Sequence, residues 1–291
     1  MTDPTENALR TRAEDVERAL KNALPAGGPG AVARLAKAMR HGALGGGKRL
    51  RPFLVIEAAV AVGGEAGAAM PAACAAEMVH AYSLIHDDLP CMDDAETRRG
   101  RPSVHVAYGE ASAVLAGDAL LTDAFGLLAG AYEGEAARRL VGLLAAGAGT
   151  GGMVGGQAMD LDPGEATEAA ILAIQARKTG ALIEASALMG GVVAGADEGQ
   201  LAALRAYARA LGLAFQLRDD VLDATAEAAT LGKPAGRDEA AGKATFVGLL
   251  GLEGARARVD ALTAEAVGAL GALPRPGALA DLARWQAGRG R

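Results

Sequence analysis

The sequence predicts an all-α fold, a single large helical bundle around a central cavity, on three observations. Apolar residues make up 51% of the 291 positions but aromatics only 3%, a palette rich in Ala, Leu, Glu and Arg that suits helix far better than sheet. Long helix-compatible stretches alternate with short Gly/Pro breaks. No stretch has the composition of an interdomain linker, and no repeat of 20–50 residues is evident, so residues 1–291 read as one domain.

The elements follow from the punctuation. Residues 5–24 form a polar amphipathic helix stopped by Pro25-Ala26-Gly27-Gly28-Pro29. A helix over about 30–43 ends at Gly45-Gly46-Gly47, and others follow at about 51–62 and 71–89, the latter with Pro71 in its first turn. Asp93 to Pro102 is polar and bounded by Gly and Pro, which predicts a loop. Helices are expected at about 110–131, 135–160, 166–194 and 198–227. A second polar loop spans Leu231 to Thr245, and helices at about 247–271 and 277–287 close the chain.

Bulk properties exclude several classes. A net charge of −6 argues against a general nucleic-acid binder. Cys74 and Cys91 show neither metal-ligand spacing nor a disulfide framework, which fits a reducing cytoplasm. The charged N-terminus lacks an apolar signal core. The uncharged run Leu140 to Met159 has the length of a membrane span, yet it carries seven glycines, Thr150 and Gln157. It reads as a buried helix, and no stable membrane insertion is expected.

Chemistry concentrates in two acidic clusters. The first is Asp87-Asp88…Asp93. Val79, Ser83 and Asp87 share a helix face, and Pro90 would clash with the carbonyl of His86, so the helix should end here with Asp93 returning from the loop. Carboxylates at a helix C-terminus face a negative dipole and need a compensating cation. In the second cluster Asp219 and Asp223 sit at i and i+4, beside Asp220, where like charges repel unless a cation bridges them. Oxygen ligands without His or Cys suit Mg²⁺, which completes its shell with water and phosphate oxygens. An EF-hand is excluded for the first cluster, which has neither the loop glycine nor the terminal Glu.

Basic residues accompany the acids. Lys48 and Arg51 lie in Gly46-Gly47-Lys48-Arg49-Leu50-Arg51-Pro52, Arg98-Arg99-Gly100 follows the first cluster, and Lys178 lies in Arg177-Lys178-Thr179-Gly180. Lys233 and Lys243 follow the second cluster, and His80 shares a helix face with Asp87. Arg offers a bidentate grip on phosphate and Lys a point charge, and the count here could serve two diphosphates.

Taken together, GGKRLRP, HAYSLIHDDLPCMDDAETRRGRPSVH, GGQAMDL, RKTGALIEAS and FQLRDDVLDATAEAATLGKPAGRDEAAGKATF, in this order over about residues 30–250, resemble the trans-prenyltransferases, the short-chain isoprenyl diphosphate synthases. The resemblance implies a homodimer with three Mg²⁺ per site that condenses isopentenyl diphosphate head-to-tail with an allylic diphosphate. By that resemblance Asp87 and Asp93 hold two metals and Asp219 the third, supported by Asp88, Asp220 and Asp223. Arg98, Lys178 and Lys233 would hold the allylic diphosphate, and Lys48, Arg51, His80 and Arg99 the isopentenyl diphosphate. Thr179, Phe215 and Gln216 would line the reacting carbons, with Lys243 a further contact. Tyr82, five residues before Asp87, with Ser83 beside it, resembles the product-length position of bacterial farnesyl diphosphate synthases. The expected product is therefore farnesyl diphosphate, with geranyl or geranylgeranyl diphosphate as alternatives. The chain departs from many relatives at Ala95-Glu96, where they continue the acidic run. A terpene cyclase would normally carry a different second metal motif, and a silent partner subunit would typically lose an aspartate cluster.

Overall fold

The computed structural model describes residues 3–162, 167–231 and 246–288. Helices dominate these residues: α1 (Pro4–Ala23), α2 (Gly30–Ala43), α3 (Leu50–Val62), α4 (Met70–Asp87), α5 (Val104–Tyr108), α6 (Glu110–Ala131), α7 (Gly134–Ala148), α8 (Met153–Leu161), α9 (Glu168–Gln175), α10 (Ala181–Val193), α11 (Glu198–Leu231), α12 (Phe246–Ala269) and α13 (Gly277–Gly288). A π-helical turn, Ala176–Gly180, joins α9 to α10.

Helices α3, α4 and α10 form the centre. Pro52 through Ala59 of α3 are buried without interruption, as are Ala72 through Val79 of α4, the pattern of helices enclosed on all sides. α4 packs on α3 and α6, α10 on α3 and α7, and α11 on α10 and α12. Polar α1 covers α3 and α4 through Leu9, Val16 and Leu20, and its Arg12 Nε donates to the buried Glu57 of α3 at 2.7 Å.

Three expectations need correction. The stretch 135–160 is not one helix but α7 and α8, separated at Gly149–Gly152. Three glycines in four positions lower helix propensity, and the chain turns there through Gly152 N–H to Gly149 O at 3.0 Å. The stretch 166–194 is interrupted by the π turn. Within 93–102 lies a two-residue antiparallel ribbon, Thr97–Arg98 with Arg101–Pro102. Its turn residues Arg99 and Gly100 both have positive φ, 54° and 72°, the primed geometry that matches strand twist. The expected loop from Leu231 to Thr245 lies almost entirely outside the described residues, and with it Lys233 and Lys243.

Candidate active site

Helix α4 ends at Asp87, and the following loop folds back on that end. Asp93 N–H donates to Asp87 O at 2.8 Å and Ala95 N–H to Asp88 O at 3.1 Å, while Asp94 N–H reaches Leu89 O. Carbonyls that helix termination would orphan are thereby paired, and Asp93 is held beside Asp87 and exposed to solvent. Asp88 is buried and ion-paired with Arg98, whose Nε lies 3.0 Å from its carboxylate. Asp88 thus anchors the ribbon, and Arg98 is turned towards the acidic cluster.

Asp87 keeps a half-buried carboxyl whose pKa is raised, first by burial and then by Asp93 and Asp88, against the pull of Lys178 and Arg98. Such crowded carboxylates fit a divalent cation. Among the described residues, no three His, Cys, Asp or Glu side chains converge as a closed metal shell.

Lys178 lies in the π turn, which packs against α8, α9, α10 and α11. Its Nζ donates to Asp160 of α8 at 2.6 Å. Gly156 of α8 sits against the Lys178 backbone so closely that a Cβ there would overlap Lys178 N, which explains the glycine of GGQAMDL. Irregular π turns inside helices recur at functional sites, and this one aims Lys178 into the electrostatic reach of Asp87. Its neighbour Thr179 is half-buried.

On α11, Phe215, Gln216, Asp219 and Asp220 are half-buried and Asp223 is exposed. Asp220 accepts the backbone N–H of Phe246 at 3.1 Å, which ties the second cluster to the start of α12.

A second basic centre lies up α4. His80 is held neutral, its pKa lowered well below the usual imidazole value by burial and by Arg51, Arg99, Arg49 and Arg98. Its Nδ1 and the Nε of Arg51 are buried without a hydrogen-bond partner. Buried polar atoms are rarely left so, and orphaned donors among guanidinium groups fit an incoming anion. The glycine loop frames this centre. Gly45, Gly46 and Gly47 all have φ near 100°, and a Cβ on Gly47 would lie 2.8 Å from the Arg99 Cζ. Glycine is required twice over there, for conformation and for room. Lys48 is exposed, with its Nζ 5.6 Å from the ring centroid of Trp285 on α13, within cation–π range.

Tyr82 is buried on α4 with Ser83 half-buried beside it. The Tyr82 ring meets His86 edge-on at 5.7 Å. His86 is seated in α6, its Nε2 3.1 Å from Val114 O and its ring filling the notch left by Gly117.

Arg49, Glu77 and Asp160 were not singled out from sequence. Asp160 was legible only as part of GGQAMDL. Glu77 had one signal, an acid inside an otherwise apolar helical run three residues before His80.

A helical bundle that sets a carboxylate cluster at a helix end, with an arginine-rich centre farther up the same helix, has the donor set that phosphorylated ligands require. The chain matches the polyprenyl synthetase family over residues 32–269 and belongs to it. It is 46% identical over 266 residues to the chloroplastic heterodimeric geranylgeranyl pyrophosphate synthase large subunit 1 of Arabidopsis thaliana, covering 88% of this chain and 71% of that one. It is also 46% identical to a chloroplastic geranylfarnesyl diphosphate synthase of Leucosceptrum canum over 259 residues, 86% of this chain and 70% of that one. Among solved structures it resembles an FPP/GFPP synthase from Zymomonas mobilis, with a TM-score of 0.87, 38% identity and coverage of 97% and 98%. A geranylgeranyl pyrophosphate synthetase from Pyrococcus horikoshii gives 0.87 at 32% identity, with 98% of each chain covered.

Proposed function

We propose that this prenyltransferase condenses isopentenyl diphosphate head-to-tail with an allylic diphosphate and carries elongation to geranylgeranyl diphosphate. The observation that supports this reading is that an arginine-surrounded histidine and a carboxylate cluster share one face of α4. His80, with Arg51 and Arg99 around it, lies seven residues before Asp87, about 10 Å along a helix. Two diphosphates held at that spacing bring an alkene and an allylic carbon within reach of each other. The mutually repelling carboxylates of half-buried Asp87 and exposed Asp93, with Asp219 on α11, are the residues that would hold Mg²⁺. Bound there, the metal would supply Lewis-acid stabilisation of the departing diphosphate. Lys178, oriented by Asp160, would place a fixed positive charge beside the allylic diphosphate, and electrostatic groups positioned in advance are the main source of such rate enhancement.

The C20 product is favoured by the curated relatives, whose names include several geranylgeranyl synthases. A farnesyl product is the second reading, favoured by Tyr82, whose buried ring packs edge-on against His86 one turn before the aspartate cluster. The apolar, outward face of α6, where Val114 and Leu115 are exposed, supports assembly with a second copy of the chain. Incubation of the purified protein with labelled isopentenyl diphosphate and dimethylallyl, geranyl or farnesyl diphosphate, in Mg²⁺ and in EDTA, tests the proposal. Metal-dependent chain growth ending at C20 is expected. Growth that ends at C15 selects the second reading, and no growth in Mg²⁺ refutes the enzyme activity.

A further inference from the structure

We infer that Glu77 is a positioning residue for the homoallylic diphosphate site, acting through Arg49 and Arg99, an inference that rests on the function proposed above. Glu77 lies in the buried middle of α4, one turn before His80, with its side chain only 2% exposed. A carboxylate so placed costs several kcal/mol unless it is paired. Its partner is Arg49, 1% exposed, whose Nη1 donates to Glu77 Oε1 at 2.5 Å. The same guanidinium donates from Nη2 to Glu17 Oε2 at 2.5 Å and to Ala43 O at 2.7 Å. Burial alone would lower the Arg49 pKa, but Glu77 and Glu17 more than offset it.

Arg49 therefore differs from its basic neighbours. It stands between Lys48 and Arg51, yet its two acidic partners consume its charge and its burial removes it from any ligand. Its backbone is left-handed, φ 48°, a conformation that costs a non-glycine residue about 1 kcal/mol or more and persists where surroundings enforce it. Glu77 and Glu17 are that enforcement. By pinning Arg49 in this turn they set the direction in which Lys48 leaves the loop and Arg51 enters α3.

Glu77 also reaches the ribbon. Arg99 Nη2 lies 3.9 Å from Glu77 Oε1, and Arg99 Nη1 donates to Gly46 O at 2.5 Å. One buried carboxylate thus faces two guanidiniums from two separate loops, and its charge favours the cationic forms of Arg49, Arg51 and Arg99. With Arg49 neutralised, Lys48, Arg51 and Arg99 remain as the cations that a diphosphate would meet. Loss of the Glu77 charge would let these cations spread, while Lys178, farther along the site, keeps its own partner Asp160.

The test is steady-state kinetics of Glu77→Gln, which preserves shape and removes charge, with Glu77→Asp as the conservative variant. The KM for isopentenyl diphosphate is expected to rise at least tenfold in Glu77→Gln, with partial recovery in Glu77→Asp. The KM for the allylic diphosphate should stay within about threefold. Because Glu77→Gln leaves Arg49 short of one partner in the core, Glu17→Gln at the solvent side of the same network provides a milder probe. It should raise the same constant about threefold and leave the allylic one unchanged. Equal increases in both constants, or no increase in either, overturn the positioning role. Absence of elongation by the wild-type protein instead overturns the proposed function.

Discussion

Replacement of Tyr82 by Ala separates the role of this ring in packing from its role in product length. Tyr82 is 6% exposed, and its ring packs edge-on against His86 at 5.7 Å. Truncation of a buried aromatic costs about 3–5 kcal/mol through lost transfer energy and the cavity left behind, and loss of the edge-on pair is part of that. Taking about 3 kcal/mol at 2–4 °C per kcal/mol for a domain of this size, the melting temperature should fall by roughly 6–12 °C. The cavity would lie beside His86, between α4 and α6, where a growing chain could enter. Products are to be dephosphorylated and their chain lengths read by chromatography against the wild-type distribution. A shift of at least one isoprene unit is expected, with the ratio of longer to shorter product changing about tenfold, equivalent to about 1.4 kcal/mol in the choice between release and another round. A melting shift of the stated size with an unchanged product distribution would refute the argument, because it would show that the ring fills core space and nothing more.

The opposite perturbation is Gly117→Ala. Its Cβ would fall within 2.7 Å of His86 Cε1, so overpacking of about 1–3 kcal/mol should outweigh a helix-propensity gain of about 1; product analysis should show shorter chains, and calorimetry a lower melting temperature. Asp160→Asn removes the partner of Lys178 at 2.6 Å. With both side chains a quarter to a third exposed, the pair should contribute about 1 kcal/mol to stability. The larger effect is expected in kinetics, as a roughly tenfold rise in the KM for the allylic diphosphate, and equal kinetics in wild type and variant would refute the orienting role. His80 gives a pH signature. Its folded pKa lies well below the ordinary value, so the unfolded chain binds the extra proton first as the pH falls. Stability is therefore fully present above about pH 6.5 and declines below it, by up to about 1.4 kcal/mol per pH unit. Denaturant unfolding of His80→Gln between pH 5 and 7.5 should show a shallower decline than wild type.

The boundaries of α2 and α6 were legible because local signals coincide with them: Gly45-Gly46-Gly47 closes one, and Gly109 and Gly134 bracket the other. The first aspartate cluster was legible for the same reason, since Pro90 stops α4 by local sterics. Other features are tertiary. Nothing in Ala176–Gly180 distinguishes a π turn from ordinary helix; the irregularity accompanies the seating of Gly156 against the Lys178 backbone, a contact between segments about twenty residues apart. The ribbon at Thr97–Pro102 has two residues per strand, too few for an alternating pattern. Arg49 was invisible as a structural residue because a basic run looks uniform until burial divides it. Only Glu77 and Glu17, brought in from two other helices, show that one arginine of GGKRLRP belongs to the core.

Helix α4 acts as the ruler of the site, and its order of residues explains why a long buried helix with acids at its end suits this chemistry. Glu77, His80, Tyr82, His86, Asp87 and Asp88 follow one another over a little more than three turns. Glu77 and Asp88 are both ion-paired with arginines, Arg49 and Arg98. Between them, His80 stays neutral among guanidiniums and Asp87 stays unpaired by any short ion contact among the described residues. Half-buried groups of opposite surroundings, one among guanidiniums and the other among carboxylates, are therefore fixed on a rigid element about 10 Å apart. Tyr82 and His86 lie between these centres in sequence; their rings meet edge-on, and His86 reaches α6. On the proposed function, a change there is expected to alter the space for the product chain while leaving Asp87 and the arginines around His80 in place.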